Sequence, residues 1–78
     1  MRAALRLPRI SMNMEEGTIV AWRKQPGEAF RQGEILYEIE TEKATQEVEA
    51  PCDGRLIEIL APAGATVEVG AEVCRIET

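Results

Sequence analysis

Laid over itself at an offset of 37 residues, the chain matches glycine for glycine: Gly17 falls on Gly54, Gly27 on Gly64 and Gly33 on Gly70. Ile39-Glu40-Thr41 falls on Ile76-Glu77-Thr78. Apolar positions in between agree in kind, Ile19 with Leu56, Val20 with Ile57, Phe30 with Val67 and Leu36 with Val73. Self-similarity at a fixed period dictates architecture more strongly than any local propensity. It implies two similar β units packed against each other. The run Glu40-Thr41-Glu42-Lys43-Ala44 lies where the first hands over to the second.

A chain of 78 residues is one domain, read as 1–78, and buries only a modest core. One Trp, one Tyr and one Phe are too few to line an aromatic ligand cavity. The net charge of −5 argues against a nucleic-acid partner, because phosphate binding needs clustered Lys and Arg. There is no histidine, and Cys52 and Cys74 form no C-x-x-C pair, so a zinc site or a Cys-His nucleophile is not expected. Cys74 aligns with Tyr37 inside a strand and is expected as a buried free thiol; Cys52, after Pro51, is expected to be partly exposed. Two such cysteines make no disulfide framework and point to a reducing cytoplasm. No apolar run is long enough to span a membrane. The opening residues, broken by Arg6, Pro8 and Arg9, read as neither signal nor transit peptide. Met1 reads as a natural start, and the chain stops where the second copy ends.

Strand signals dominate. Expected strands run Ala4–Ile10, Thr18–Lys24, a short piece at Phe30, Ile35–Thr41, Thr45–Ala50, Arg55–Leu60, a short piece at Val67, and Glu72–Glu77. Alternation of Ile35, Tyr37 and Ile39 with Leu36, Glu38 and Glu40 marks a strand with unlike faces. Pro26-Gly27, Gln32-Gly33, Asp53-Gly54, Ala63-Gly64 and Val69-Gly70 mark turns. All six glycines, Gly17 included, are expected to supply positive φ in tight turns. Helix is not expected, since glycine and proline recur too often. Short strands at regular spacing indicate an all-β sandwich or closed barrel, and closure removes exposed edges.

Two groups of residues could carry chemistry. Lys43, among Glu40, Glu42 and Glu47, is expected to stay charged, which makes it a poor nucleophile. If it reacts, an enzyme must bring it an activated acyl group. Glu40, Glu42, Glu47 and Glu49 could in principle act as paired carboxylates, but a hairpin on a small barrel offers no cleft to split their pKa values. A solvated acidic face is the better reading.

The run Glu40-Thr41-Glu42-Lys43-Ala44, continued by Glu47-Val48-Glu49-Ala50-Pro51 and preceded by Leu7-Pro8 and Met14-Glu15-Glu16-Gly17-Thr18-Ile19-Val20, closely resembles the lipoyl domain of the acyltransferase component of 2-oxo acid dehydrogenase complexes. The resemblance covers nearly the whole chain. Glu42 stands where aspartate is common, keeping the charge and adding one methylene. The resemblance implies a flattened β-barrel of two small antiparallel sheets related by a pseudo-two-fold axis. It implies lipoic acid in amide linkage to Lys43 on an exposed hairpin, with the chain termini meeting at the opposite end. It implies a non-catalytic swinging-arm carrier. A lipoate ligase or lipoyl transferase would load it, a thiamine-diphosphate-dependent 2-oxo acid decarboxylase would reductively acylate it, an acyltransferase core would take the acyl group, and a dihydrolipoamide dehydrogenase would reoxidise it. By analogy Glu42 and Ala44 flank the lysine as recognition residues, the loop Ser11, Met12, Asn13, Met14 and Glu15 lies beside the hairpin and adds partner specificity, and the Gly33 turn lies near that same end. Related biotinyl domains carry methionine on both sides of the lysine, where this chain has Glu42 and Ala44. A biotin carboxyl carrier, or an unmodified β module binding through its acidic hairpin, remains the alternative.

Overall fold

The computed structural model describes residues 1–10, 12–42 and 44–78. Among them are eight strands: β1 (Arg2–Arg6), β2 (Glu16–Trp22), β3 (Ala29–Phe30), β4 (Ile35–Glu40), β5 (Thr45–Glu49), β6 (Gly54–Ile59), β7 (Thr66–Glu68) and β8 (Glu72–Glu77). They form two four-stranded antiparallel sheets, ordered β1-β8-β6-β3 and β5-β4-β2-β7. This is the flattened barrel of two antiparallel sheets that the family resemblance implies.

The two copies are interleaved, however, and are not separate packed units. Each sheet takes two strands from β1–β4 and two from β5–β8. Strands β2, β3 and β4 correspond to β6, β7 and β8 at the offset of 37. Strand β5 corresponds to β1 at an offset of 43, which the glycine pattern does not reveal. The registers agree: Glu40↔Thr45, Ile39↔Gln46, Glu38↔Glu47 and Tyr37↔Val48 in one sheet match Glu77↔Arg2, Ile76↔Ala3, Arg75↔Ala4 and Cys74↔Leu5 in the other. The ladder also shifts at the same place, between Ile35/Tyr37 and between Leu5/Arg6.

The core is built from equivalent pairs. Ile19 and Leu56, Leu36 and Val73, Tyr37 and Cys74, Ile39 and Ile76, and Leu7 and Ala50 are all buried. Packing differs where the pairs differ in size. Trp22 lies against Tyr37 with ring centroids 4.7 Å apart, and its indole N–H donates to Ala61 O at 2.8 Å. Their counterparts Ile59 and Cys74 have no aromatic ring. The free thiol of Cys74 is fully buried, as expected, and Cys52 is half-buried.

Three expectations need correction. The first strand is Arg2–Arg6 instead of Ala4–Ile10: Leu7 turns into the core, and Pro8 has no N–H for a ladder. The second begins at Glu16 and ends at Trp22, because Glu16 and Gly17 pair with Glu68 and Val67. Positive φ occurs at Gly27, Gly33, Gly64 and Gly70 but not at Gly17 or Gly54. Gly54 is required by close approach, since a Cβ there would sit 2.8 Å from Glu77 O and 3.0 Å from the Phe30 ring.

Candidate functional site

The β4–β5 connection is a tight turn closed by backbone. Thr41 N–H donates to Ala44 O at 2.9 Å and the Thr41 hydroxyl donates to the same oxygen at 3.1 Å. Two residues lie between them, Glu42 and Lys43, and Glu42 and Ala44 are exposed. The assignments that fall on Lys43 and on Ser11 lie outside the described residues. What the structure describes is the frame: a ladder that is unbroken from Tyr37↔Val48 to Glu40↔Thr45, next to the turn.

The surroundings are acidic. Glu38 and Glu47 are directly opposed across β4 and β5, an arrangement that like charges disfavour. Arg23 relieves it: its guanidinium lies 2.6 Å from the Glu38 carboxylate and 3.9 Å from Glu47. Sequence reading missed Arg23, because only the register of β2, β4 and β5 brings it between the two glutamates. On the pseudo-equivalent face of the other sheet, Arg75, Arg2 and Arg6 stand where this face has Glu38, Thr45 and Glu49. One backbone thus presents an acidic surface at the hairpin and a mixed one at its twin. The other lysine, Lys24, is engaged with Glu34 at 3.2 Å. That ammonium, after the Arg31 backbone N–H, helps hold the Glu34 carboxyl below its usual range.

The loop before β2 reaches the same end. Met14 is buried, while Met12, Asn13 and Glu15 are exposed. The Met14 methyl and Glu40 O both lie within 4 Å of where a Gly17 Cβ would be, so the loop sits beside the last residue of β4. The other end of the barrel brings Met1 and Thr78 together: Thr78 N–H donates to Met1 O at 2.8 Å and the Met1 amine donates to Thr78 O at 3.0 Å.

The Gly33 turn, expected near the hairpin, lies at this far end. Gly33 N–H donates to Ala50 O, past the end of β5 that is remote from the turn, and Gln32 N–H donates to the Asp53 carboxylate beside Gly54. A turn that starts a strand is one strand length from the turn that ends it, about 20 Å for six residues. The Gly70 turn is at the hairpin end, where the adjacent Val69 N–H donates to Glu15 O at 2.9 Å.

Among the described residues no cluster of acidic or cysteine side chains could hold a metal ion, and no helix is long and apolar enough to cross a membrane. A family model described as "Biotin-requiring enzyme", for biotin and lipoyl attachment domains, matches residues 3–76. The chain belongs to the biotin/lipoyl attachment family. Within that family its similarity is to lipoyl domains. It is 33% identical to the solved lipoyl domain of the 2-oxoglutarate dehydrogenase complex of Azotobacter vinelandii, with a TM-score of 0.78, covering 96% of this chain and 95% of that one. It is 42% identical over 76 residues to the dihydrolipoyllysine-residue succinyltransferase component of the 2-oxoglutarate dehydrogenase complex of Rickettsia conorii, covering 97% of this chain and 19% of that protein. It is 47% identical over 68 residues to the mitochondrial pyruvate dehydrogenase complex protein X component of Chaetomium thermophilum, covering 86% of this chain and 15% of that protein. The chain therefore spans less than a fifth of the length of these two relatives. A multi-domain long-chain acyl-CoA carboxylase shares the fold, at 24% identity and a TM-score of 0.80 over 97% of this chain and 7% of that one.

Proposed function

We propose that residues 1–78 form a lipoyl-type carrier domain with lipoic acid in amide linkage to the Nζ of Lys43. The observation that supports the reading is the Thr41 N–H to Ala44 O hydrogen bond, which closes the connection of β4 to β5 within the Glu-Thr-Glu-Lys-Ala run. A turn this short, with exposed flanks, leaves a long acyl chain room to project without displacing core side chains. When attached, the dithiolane supplies reversible acyl and electron carriage. The chain's own residues supply position: the ladder of β4 and β5 fixes the turn, and Glu42 and Ala44 are the flanks that a ligase would read. Glu42 and Ala44 stand where biotinyl domains carry methionine, which favours lipoyl over biotinyl attachment.

Partners follow from the reading. A lipoate ligase or lipoyl transferase loads the lysine, a thiamine-diphosphate-dependent 2-oxo acid decarboxylase acylates the arm, an acyltransferase core accepts the acyl group and a dihydrolipoamide dehydrogenase restores the disulfide. The domain contributes raised effective concentration of its cargo and no chemistry of its own. In a longer chain, whatever adjoins Met1 or Thr78 would leave from the end opposite the turn, out of the arm's way. Intact mass of the protein from its host, with peptide mapping, tests the reading. A lipoyl increment on Lys43 that Lys43→Arg abolishes is expected. A biotinyl increment, modification of Lys24, or no modification after incubation with a lipoate ligase would overturn it.

A further inference from the structure

Each sheet ends in a five-residue strand with one open side, and the two open sides carry opposite charge. Among the described residues β1 has β8 as its one strand neighbour, and β5 has β4. The bonds at the strand ends show which backbone groups are left over. The Met1 amine donates to Thr78 O and Thr78 N–H to Met1 O, while Leu7 N–H donates to Ala71 O and Gly70 N–H to Leu7 O, both at 2.9 Å. Bonding alternates along an antiparallel ladder, so Arg2, Ala4 and Arg6 turn their N–H and C=O away from β8. In the other sheet Ala44 O accepts from Thr41, Ala50 N–H donates to Glu34 O at 2.7 Å and Ala50 O accepts from Gly33. Thr45, Glu47 and Glu49 therefore turn theirs away from β4. The side chains of these six residues lie on the outer faces, since Leu5 and Val48, next to them, pack against the core.

An open edge is a template for a further strand, and charge is what guards it. Arg2 and Arg6 make the β1 edge positive, and Glu47 and Glu49 make the β5 edge negative. Because β1 and β5 are equivalent at the offset of 43, three antiparallel pairings between copies share one geometry. Pairing β1 with β1 sets Arg2 opposite Arg6 twice. Pairing β5 with β5 sets Glu47 opposite Glu47. Pairing β1 with β5, centred on Ala4 and Glu47, sets Arg2 opposite Glu49 and Arg6 diagonal to Glu47. Opposite charges across a ladder attract and like charges repel, so only the third pairing is favoured. The arginines are free to serve it: their contacts with Glu77 and Glu72 are long, at 3.6 Å, and their side chains are 74% and 65% exposed.

We propose that β1 of one copy pairs antiparallel with β5 of a second copy, in the register Arg2↔Glu49, Ala4↔Glu47 and Arg6↔Thr45, joining a sheet of each domain into one continuous sheet. The contact is heterologous, because the two edges belong to different sheets of the same domain. It extends into chains of domains and does not close as a two-fold dimer. A ladder of five residues buries much less than the ~1,200 Å² of stable complexes. The association is weak and is populated at high domain concentration. It requires no modification of the domain and stands apart from the carrier reading.

The test measures self-association of the 78-residue chain by sedimentation equilibrium and by concentration-dependent amide spectra, which also report folding. Wild type is expected to associate at about 10 mM salt and to weaken at least tenfold at about 1 M, where the Debye length falls from about 30 Å to about 3 Å. Arg2→Glu/Arg6→Glu and Glu47→Arg/Glu49→Arg are each expected to lose association about tenfold. The second pair brings the net charge of −5 nearer zero, so its loss would not be general repulsion. All four changes together restore both complementarity and net charge, and should restore association. Ala4→Pro removes one outward N–H without touching the bonds to β8, and should abolish association at unchanged charge. Amides of Arg2, Ala4, Arg6, Thr45, Glu47 and Glu49 should shift with concentration. A monomeric wild type, no recovery in the fourfold variant, association of Ala4→Pro equal to wild type, or shifts confined to other residues overturns the proposal. If a reversal pair does not fold, Arg2→Gln/Arg6→Gln takes its place, with the same loss expected and its absence overturning the proposal.

Discussion

Thr41 and Thr78 make the same backbone hydrogen bond: Thr41 N–H donates to Ala44 O at 2.9 Å, and Thr78 N–H donates to Met1 O at 2.8 Å. The turn and the meeting of the termini are one structural position occupied twice. Two residues bridge Thr41 to Ala44, so two residues should bridge Thr78 to Met1. A circular chain closed by Glu-Lys should fold, resist exopeptidases and melt higher than the linear chain, because closure removes unfolded-state entropy. Its new lysine would stand at the twin of Lys43. Modification at the old turn only, mapped by mass spectrometry, is the expected outcome, since the twin lacks the acidic surround and Ala44. Equal labelling would mean that the ligase reads the turn geometry and nothing else.

Register at the turn should matter more than the length of an acidic side chain. One residue inserted between Thr41 and Glu42 lengthens the two-residue turn, whereas Glu42→Asp removes one methylene from an exposed side chain. Lipoylation should fall steeply in the insertion variant and stay near wild type in Glu42→Asp. Comparable labelling of the two would contradict this.

Gly33 and Gly70 have φ of 91° and 90°, and a Cβ at either would meet nothing within 4 Å. Valine at either should cost about 1–3 kcal/mol of stability through backbone strain alone, and by similar amounts. Function should separate them. Gly70 adjoins Val69, which anchors Glu15 at the turn end, whereas Gly33 lies at the terminal end. At a temperature where both variants are folded, Gly70→Val should slow reductive acylation and Gly33→Val should not. The reverse order would be evidence against the loop as a docking element.

Burial pushes the Cys74 thiol from its ordinary 9.0 up to about 11. The folded state holds that proton more tightly than the unfolded state. Stability from this group is therefore complete below pH 9.0 and is lost as pH rises toward about 11. Tyr37, also raised by burial, adds to the loss at the alkaline end of this window. Urea midpoints should fall across the window, and Cys74→Ala should flatten the first part of the fall. An equally steep fall in Cys74→Ala would assign the effect elsewhere.

Much of this was legible in the chain. Glycines spaced by 37 gave the period, and alternation at Ile35–Thr41 gave a strand whose buried and exposed faces the structure reproduces, save that Leu36 is buried at the register shift. Turn residues cannot say which end of a barrel they occupy, and the analogy that set the Gly33 turn beside the hairpin put it at the wrong end. The second offset, 43, was hidden because β1 and β5 have no residue in common, and only Pro8 and Pro51 just beyond them match. Arg23 was missed for a related reason: an ion pair across three strands exists only once their register does. The burial of Met14 beside Gly17 left a faint trace, the smaller Val67 opposite Gly17 where Phe30 stands opposite Gly54.

Because each sheet borrows half its strands from each copy, neither copy owns a finished sheet. Residues 2–40 alone would leave β2 without β7, and β3 without β6. No stable half-folded state is therefore available, and the domain should open as one cooperative unit, with slowly exchanging amides in β4 and β8 sharing one opening free energy. The same interlocking makes the chain divisible in another sense: cut within the β4–β5 turn, its two pieces should each be unstructured alone and should find one another as a heterodimer.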